Sequence, residues 1–129
     1  MPVRILIADD NQRVRRGVAD ILEPMTDWIV CGEAVDGAEA ILRAEELQPD
    51  VILLDISMPG LSGLDATPLL REKVPTAKIL IMSQHDRALL LPRVIKAGAH
   101  ACVDKSRLGT ELVKTIQSLV ENNGSKQTA

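Results

Sequence analysis

The sequence predicts an α/β fold, a single doubly wound parallel sheet of five strands, and two observations support this prediction. Short, continuous apolar runs recur along the chain, which is typical of strands buried on both faces of a parallel sheet. Segments with apolar residues at helical spacing separate these runs, so strands and helices alternate as five βα units. Right-handed crossovers would place helices on both faces of the sheet. A chain of 129 residues suits one such domain.

Three of the predicted strands are clear and two are weaker. The clear runs are Val3 to Ala8, Val51 to Leu54 and Ile79 to Met82. The weaker runs are Trp28 to Ala34 and His100 to Val103, which are less continuously apolar. Each run is bounded by polar or turn-forming residues, as a strand of a small sheet should be.

The intervening segments carry apolar residues at i, i+4, i+7 and i+8, the spacing of one helix face. The clearest stripe is Leu108, Leu112, Ile116, Leu119 and Val120. Two prolines fall within predicted helices. Pro68 either follows a Thr67 cap as the first helical residue or lies inside a helix that begins near Gly63. Pro92 lies in the segment 86–97, where an interior proline costs about 3 kcal/mol, so we expect that helix to be kinked, shortened or mobile.

We expect one domain over residues 1–121. After Val120 the sequence is polar, contains Gly124 and has no apolar period. This pattern predicts that residues 122–129 form a polar tail or a linker stub.

Composition and charge limit the classes of function. The formal net charge of −3 argues against direct nucleic-acid binding by this chain, which usually needs a basic face. Trp28 is the only aromatic residue, so base stacking has almost nothing to use. No apolar stretch approaches the roughly 20 residues of a membrane span, and no export signal is recognisable, so we expect a cytoplasmic protein without membrane contact. Cys31 and Cys102 show no metal-binding spacing and are expected to be reduced core residues.

Chemically active side chains follow the predicted strands. The first strand ends in Asp9 and Asp10, the third in Asp55, the fourth in Ser83, and the fifth is followed by Lys105. Because ligands of open α/β sheets bind beyond the carboxyl ends of the strands, we expect these side chains to converge. Three carboxylates repel one another, and a single lysine does not balance them. The oxygen donors favour Mg²⁺ or Mn²⁺ over zinc, a combination that suggests phosphoryl chemistry.

Asp55 is the best candidate nucleophile. It ends the most hydrophobic strand, and the turn-rich segment 58–63 follows and leaves it accessible. A carboxylate that attacks phosphorus gives an aspartyl phosphate, while a metal and Lys105 neutralise the transferred oxygens and the Ser83 hydroxyl donates to one of them. Each of these residues alone is more often a helix cap, a turn former or a surface residue, and only their combination is informative.

The motifs resemble the receiver domain of bacterial two-component response regulators, and most closely the receivers that precede LuxR-type DNA-binding domains. The resemblance covers about residues 2 to 122. The matching segments are Ile5 to Asp10, Asp50 to Gly60, Gly63, Ser83, Ala97 to Ala99, and Lys105. The resemblance implies a flavodoxin-like (βα)5 fold with strand order 2-1-3-4-5.

The resemblance also implies residue roles. Asp55 would accept a phosphoryl group from a sensor histidine kinase. Mg²⁺ would be held by Asp10, Asp55 and the backbone carbonyl of Ser57, and by Asp9 through water. Ser83 and Lys105 would contact the phosphoryl oxygens.

Phosphorylation would then shift an output face formed by the fourth helix, the fifth strand and the fifth helix, which is a population shift in a two-state element. The resemblance further implies transcription control through a C-terminal DNA-binding output domain that this chain does not contain, and a homodimer that forms on phosphorylation. Such a dimer would use either the output face or the first and fifth helices. The sequence leaves open the stimulus, the kinase and the target genes.

Four positions depart from the family pattern or lie where the family tunes its chemistry. Cys102 stands where a Tyr or Phe is usual, so no ring is available to swing inward as Ser83 moves. His100, two residues earlier on the same strand face, is a weak substitute, and a surface histidine is the plainer interpretation. His85 and Ser57, two residues after Ser83 and Asp55, flank the site, and His85 is expected to tune the lifetime of the phosphate.

Three other classes of protein are alternatives to a phosphoaccepting receiver. A phosphatase with an Asp nucleophile would carry a second Asp two residues later, where this chain has Ser57. A flavodoxin-type cofactor binder would need a phosphate loop and stacking aromatics, which the sequence lacks. A degenerate receiver that acts as a phosphorylation-independent interaction module stays open because the switch aromatic is missing, although the complete set of acidic, hydroxyl and lysine residues argues against it.

Overall fold

Five parallel strands form one sheet in the order β2-β1-β3-β4-β5 in the computed structural model, which describes residues 2–84 and 87–128 and side chains up to Glu121. The predicted fold class and strand order are confirmed. The strands are β1 Val3–Ala8, β2 Trp28–Ala34, β3 Val51–Asp55, β4 Lys78–Ser83 and β5 Ala101–Asp104. Every residue of β3 is buried, which explains its uninterrupted apolar sequence.

Helices cover both faces of the sheet. They are α1 Gln12–Leu22, α2 Gly37–Leu47, α3 Gly63–Lys73, α4 Arg87–Ala97 and α5 Leu108–Thr128. One apolar core lies between the sheet and α1 and α5, and contains Val18 and Ile116. The other lies between the sheet and α2, α3 and α4, and contains Ala44, Leu70 and Val94. Alternate residues of each strand supply the two cores, as the pleat of a strand requires.

The helix starts are fixed by side-chain caps. The Asn11 side chain accepts hydrogen bonds from Arg13 N–H and Val14 N–H at the start of α1. The Ser62 hydroxyl accepts from Asp65 N–H at 3.1 Å at the start of α3. Helix α3 therefore begins at Gly63 and Pro68 lies inside it, so the alternative in which Thr67 caps the helix is wrong.

Helix α4 tolerates its interior proline without becoming shorter. It contains eleven residues, like α1, α2 and α3, so the helix is not shortened, and the alternatives of a kinked or mobile helix stay predictions. Pro92 is exposed, whereas Val94 on the other side of the helix is fully buried. The proline ring therefore displaces no core side chain.

Helix α5 is longer than its apolar stripe. A 3-10 turn, Lys105–Arg107, leads into it, and the helix continues to Thr128 over most of the segment that we expected to be a tail or linker. No proline interrupts this segment, and polar composition alone does not end a helix. The domain boundary at residue 121 stays a prediction. None of the helices within the described ranges combines the length and the apolar character needed to cross a membrane.

Candidate functional site

The predicted site residues follow strands that all run in the same direction, so they meet at one edge of the sheet. Asp9 follows β1, Asp55 ends β3, Ser83 ends β4, and Lys105 follows β5. The register places Asp55 beside Met82 and Ser83 beside Asp104. This convergence is the arrangement expected at the carboxyl edge of a parallel sheet.

Three carboxylates form the centre of the site. One oxygen from each of Asp9, Asp10 and Asp55 lies within 4.8 Å of the others. Asp9 is fully buried, Asp55 is 4% exposed, and Asp10 is exposed. Buried carboxylates at this spacing repel one another and need a cation between them.

Lys105 supplies one positive charge to this cluster. Its Nζ lies 2.7 Å from Asp9 Oδ2 and 3.2 Å from Asp55 Oδ1. Burial alone would lower the pKa of Lys105, but its contacts with Asp9 and Asp55 outweigh burial and raise that pKa. The lysine is therefore firmly protonated and bridges the two buried carboxylates.

The Asp55 carboxylate is held by neighbouring groups, and its surroundings raise its pKa. Ser57 N–H donates to Asp55 Oδ1 at 3.2 Å, the same oxygen that faces Lys105. Burial and the negative charge of Asp9 raise the pKa of Asp55, and Lys105 and the Ser57 N–H only partly oppose that rise. The site thus lacks positive charge, which favours the binding of a further cation.

The loop after β3 folds back onto the backbone of Asp55. Ile56 N–H donates to Met82 O at 2.9 Å, and Gly63 N–H donates to Ile56 O at 3.1 Å. A Cβ atom on Gly63 would lie 2.0 Å from the Asp55 carbonyl oxygen, so only glycine allows this close approach. The start of α3 therefore packs directly against the strand end that carries Asp55.

The donor atoms of the cluster fit a hard divalent cation. All three side chains offer carboxylate oxygens, which Mg²⁺ and Mn²⁺ prefer. Asp9 Oδ1 accepts a hydrogen bond from Asn11 N–H at 2.8 Å. Asp9 Oδ2 is buried and, apart from its close contact with the Lys105 ammonium, has no hydrogen-bond partner among the described residues. Because one lysine cannot neutralise three carboxylates, a net negative charge remains that a divalent ion could neutralise.

A cavity of about 260 Å³ opens over the cluster and gives access to Asp55. Its walls include Asn11 and Gln84, which the sequence analysis did not single out. Their positions directly after Asp10 and Ser83 are the only sequence signal that could have indicated them. Ser83 itself is fully buried at the end of β4.

Cys102 does not line this cavity. It is 2% exposed and packs in the core beneath α2, α3 and α4. Burial raises the pKa of its thiol. Its backbone carbonyl accepts a hydrogen bond from Arg87 Nε at 2.9 Å, which ties the start of α4 to β5.

His100 lies at the opposite edge of the sheet, directly before β5. It is near Ile79, four residues before Ser83 and therefore about 13 Å from the carboxyl edge along the strand. Its Nδ1 accepts from Ile79 N–H at 3.0 Å, and Arg71 Nη1 lies 2.5 Å from its Nε2. Burial, with the charges of Arg71 and Lys78, lowers the pKa of His100 to about 4. His100 is therefore partly buried and hydrogen-bonded, and its role as a substitute for the missing aromatic ring stays a prediction. His85 lies outside the described residues.

The sheet order and the acidic carboxyl edge are those of a flavodoxin-like receiver domain. The chain belongs to the response regulator receiver domain family, whose sequence profile matches residues 5–117. It is thus a receiver domain of two-component response regulators, a family represented here mostly by transcriptional regulators.

Curated relatives and solved structures agree with this assignment. The chain is 38% identical over 117 residues to the transcriptional regulatory protein LiaR of Bacillus subtilis (strain 168), which covers 90% of this chain and 55% of LiaR. It is 36% identical over 116 residues to the uncharacterized transcriptional regulatory protein YxjL of the same organism, covering 90% of this chain and 53% of YxjL. The chain spans about half the length of the curated relatives it matches.

Two solved structures extend the comparison to the fold. A LuxR-family two-component response regulator from Aurantimonas sp. SI85-9A1 superposes with a TM-score of 0.88 at 32% identity, covering 95% of this chain and 87% of that chain. The receiver domain of the putative response regulator NarL from Mycobacterium tuberculosis superposes with a TM-score of 0.86 at 32% identity, covering 93% of this chain and 97% of that chain. The predicted resemblance to LuxR-type receivers is confirmed.

Proposed function

We propose that this domain accepts a phosphoryl group on Asp55 from a sensor histidine kinase and relays the signal to an output domain. The observation that carries the proposal is the position of the Asp55 carboxylate, which is 3.2 Å from the Lys105 ammonium and belongs to the same oxygen cluster as Asp9 and Asp10. A cavity opens above it, so a donor phosphoryl group has access.

The transfer step needs a nucleophile and a means of neutralising charge. A carboxylate oxygen of Asp55 attacks phosphorus and forms an O–P bond, while the N–P bond of the donor phosphohistidine breaks and its electron pair leaves with the imidazole, which is protonated by solvent. Lys105 neutralises charge on the transferred oxygens, and Ser83 is proposed to donate to one of them after phosphorylation.

The residues that would hold Mg²⁺ or Mn²⁺ are Asp10, Asp55 and the backbone carbonyl of Ser57, with Asp9 acting through water. When bound, such an ion supplies charge neutralisation at the phosphoryl oxygens. Lys105, already engaged by two buried carboxylates, cannot supply all of that charge.

The proposed phosphoaspartate is long-lived compared with a phosphatase intermediate. Two residues after Asp55 the chain carries Ser57, which is a poor general acid or base. Hydrolysis would then lack a general acid or base at this position and proceed slowly. We propose that His85 tunes this rate. Cys102, which is buried and does not line the cavity, would affect switching only through packing.

The output is proposed by analogy with the relatives, several of which are named as transcriptional regulators. We expect α4, β5 and α5 to form the output face, a C-terminal DNA-binding domain to receive the signal, and a homodimer to form on phosphorylation. The cytoplasm is the proposed compartment.

The test is intact-protein mass spectrometry after incubation with acetyl phosphate, with Mg²⁺ or with EDTA. We expect the addition of one phosphoryl group that requires Mg²⁺ and is absent in Asp55→Asn. Asp27→Asn is the matched control, because Asp27 is exposed at the amino edge of the sheet, where its carbonyl accepts from Val3 N–H.

The same samples are analysed for released phosphate. Without an adduct and without released phosphate the proposal is wrong, and the domain is a degenerate receiver that acts as an interaction module. Released phosphate without an adduct would indicate rapid hydrolysis, and would contradict the proposed long-lived phosphoaspartate.

A further inference from the structure

Arg15 is a cationic side chain that reaches the acidic cluster through the backbone. It lies on α1 and is 13% exposed. Its Nη1 donates to the carbonyl oxygen of Asp9 at 2.7 Å, and its Nε donates to Glu33 Oε1 at 2.8 Å. The guanidinium therefore connects α1, the end of β1 and the edge strand β2 at one point.

The carbonyl that Arg15 holds belongs to the peptide that joins Asp9 to Asp10. Strand β1 ends at Ala8, so this carbonyl lies beyond the strand ladder. Asp9 is fully buried, and a buried carbonyl needs a donor inside the protein. Because a peptide unit is planar, fixing this carbonyl also fixes the direction in which Asp10 leaves the strand.

The other contacts of this turn hold Asp9 and the peptide that follows Asp10, but not the peptide that precedes it. Asp9 N–H donates to Ala34 O at 3.0 Å, and Asp9 Oδ1 accepts from Asn11 N–H at 2.8 Å. Asp10 is exposed, so packing does little to orient it. Among the described residues, Arg15 is the one that holds the peptide preceding Asp10, and this contact therefore bears on the orientation of Asp10.

Geometry, rather than added charge, is what Arg15 contributes. Glu33 lies 2.8 Å from its guanidinium, so the two side chains together carry no net charge. Two separate bonds, from Nε and from Nη1, use the planar fork of arginine. A lysine in this position would keep the charge but could not make both bonds with the same geometry.

We propose that Arg15 is a positioning residue for the divalent-cation site, and that it acts by holding the Asp9–Asp10 peptide so that Asp10 faces the cation. This inference rests on the proposed function, because the cation site is part of it. Residues outside the ligand set that orient a ligand typically change metal affinity 10–100-fold when they are replaced.

The experiment measures the affinity of the full chain for Mn²⁺ by electron paramagnetic resonance of the free ion. We expect Arg15→Gln to weaken Mn²⁺ binding by about 10-fold, and Arg15→Lys by a similar factor, since lysine restores only the charge. Arg16→Gln is the matched control, because Arg16 is the next residue on α1 and is exposed. Its affinity should equal that of the wild type.

A double-mutant cycle separates positioning from a general loss of structure. Each protein is titrated up to Mn²⁺ concentrations that saturate the Asp10→Asn variant, so that its weaker affinity can also be measured. If Arg15 acts through Asp10, Arg15→Gln should weaken binding by less than about 2-fold in the Asp10→Asn background. A purely structural defect would weaken binding equally in both backgrounds and would overturn the proposal.

Two further outcomes are distinguishable. Wild-type Mn²⁺ affinity in both Arg15→Gln and Arg15→Lys would overturn the positioning role and leave the proposed function intact. If the wild type itself neither binds Mn²⁺ nor gains a phosphoryl group from acetyl phosphate, the proposed function is wrong and the role of Arg15 falls with it.

Discussion

Gly63 determines whether the loop after β3 can close onto Asp55, and Gly63→Ala is the perturbation that tests this. A methyl group on Gly63 would lie 2.0 Å from the Asp55 carbonyl oxygen and 2.8 Å from its carbonyl carbon. The first distance is roughly 1.5 Å short of an ordinary contact, and the obstructing atoms are backbone atoms that cannot rotate away. The start of α3 and the end of β3 must therefore separate.

Overpacking of this kind costs about 3 kcal/mol, the upper part of the usual range, because backbone rather than a flexible side chain has to move. For a domain of this size, such a loss lowers the Tm by about 10 °C. The same movement displaces Asp55, so the rate of phosphorylation by acetyl phosphate should fall as well. Thermal unfolding followed by circular dichroism, with mass spectrometry of the adduct, measures both effects.

Gly17→Ala is the matched control, since it makes the same change inside helix α1. No atom beyond the immediate backbone lies within 4 Å of the added methyl group. Alanine should therefore stabilise the helix by about 0.5–1 kcal/mol and raise the Tm. The reasoning is refuted if Gly63→Ala unfolds at the wild-type temperature, or if both alanine variants shift the Tm in the same direction.

Three further predictions concern charge. Burial and two neighbouring cations lower the pKa of His100 from 6.5 to about 4, so between these pH values the unfolded chain binds a proton that the folded ring does not. The free energy of unfolding should therefore fall by about 1–2 kcal/mol as the pH drops from 6.5 to 4. Unfolding curves measured across this pH range should show that His100→Gln lacks this loss. Burial and the charge of Asp9 raise the pKa of Asp55, so the folded protein loses stability as the pH rises through that pKa. Asp55→Asn should therefore have a higher Tm than the wild type at pH 7, and the Tm difference between the two proteins should shrink in acid. Lys105→Ala should destabilise the metal-free protein by about 3 kcal/mol, leave Mg²⁺ binding measurable by calorimetry and abolish the response to phosphorylation.

The sheet could be predicted because burial restricts sequence most strongly at its centre. Val51 to Leu54 form a continuous apolar run, since β3 has helices on both faces and a strand on each side. The edge strand β2 gave a weaker pattern for a physical reason. Ile29 is 47% exposed, and the pairing with β1 is irregular between Ile5 and Leu6. A strand with one free edge and a bulge is under less demand for alternating or continuous apolar residues.

The sequence leaves the start of α3 ambiguous because Pro68, a residue that favours the first helical position, competes with a second signal nearby. Ser62 and Asp65 have the spacing of a helix cap and a first-turn acidic residue, and the structure uses them in that way. Proline at the sixth position of a helix breaks a propensity rule, but tertiary packing overrides it. Thr67 and Leu70, on either side of Pro68, are both fully buried.

In the site, some residues can be predicted from sequence motifs, whereas the contacts that hold them appear only in the folded structure. Asp9, Asp55 and Lys105 could be predicted because each directly follows a recognisable strand. The contacts that hold them could not. Arg15 donates to a backbone carbonyl, and every residue type has one, so no motif indicates this contact. Arg15 also pairs with Glu33, which lies 18 positions away in the sequence.

Cys102 gives a second example, at the position where related receivers carry an aromatic switch residue. The sequence shows that no aromatic ring occupies this position, and the structure shows a buried thiol that packs in the apolar core. At this position Arg87 of α4 donates a hydrogen bond to the backbone carbonyl of Cys102 in β5. Any residue at position 102 would permit this contact. The identity of the side chain at position 102 therefore does not determine this contact. The contact depends on a backbone carbonyl that the fold places within reach of Arg87, and no sequence motif identifies such a group.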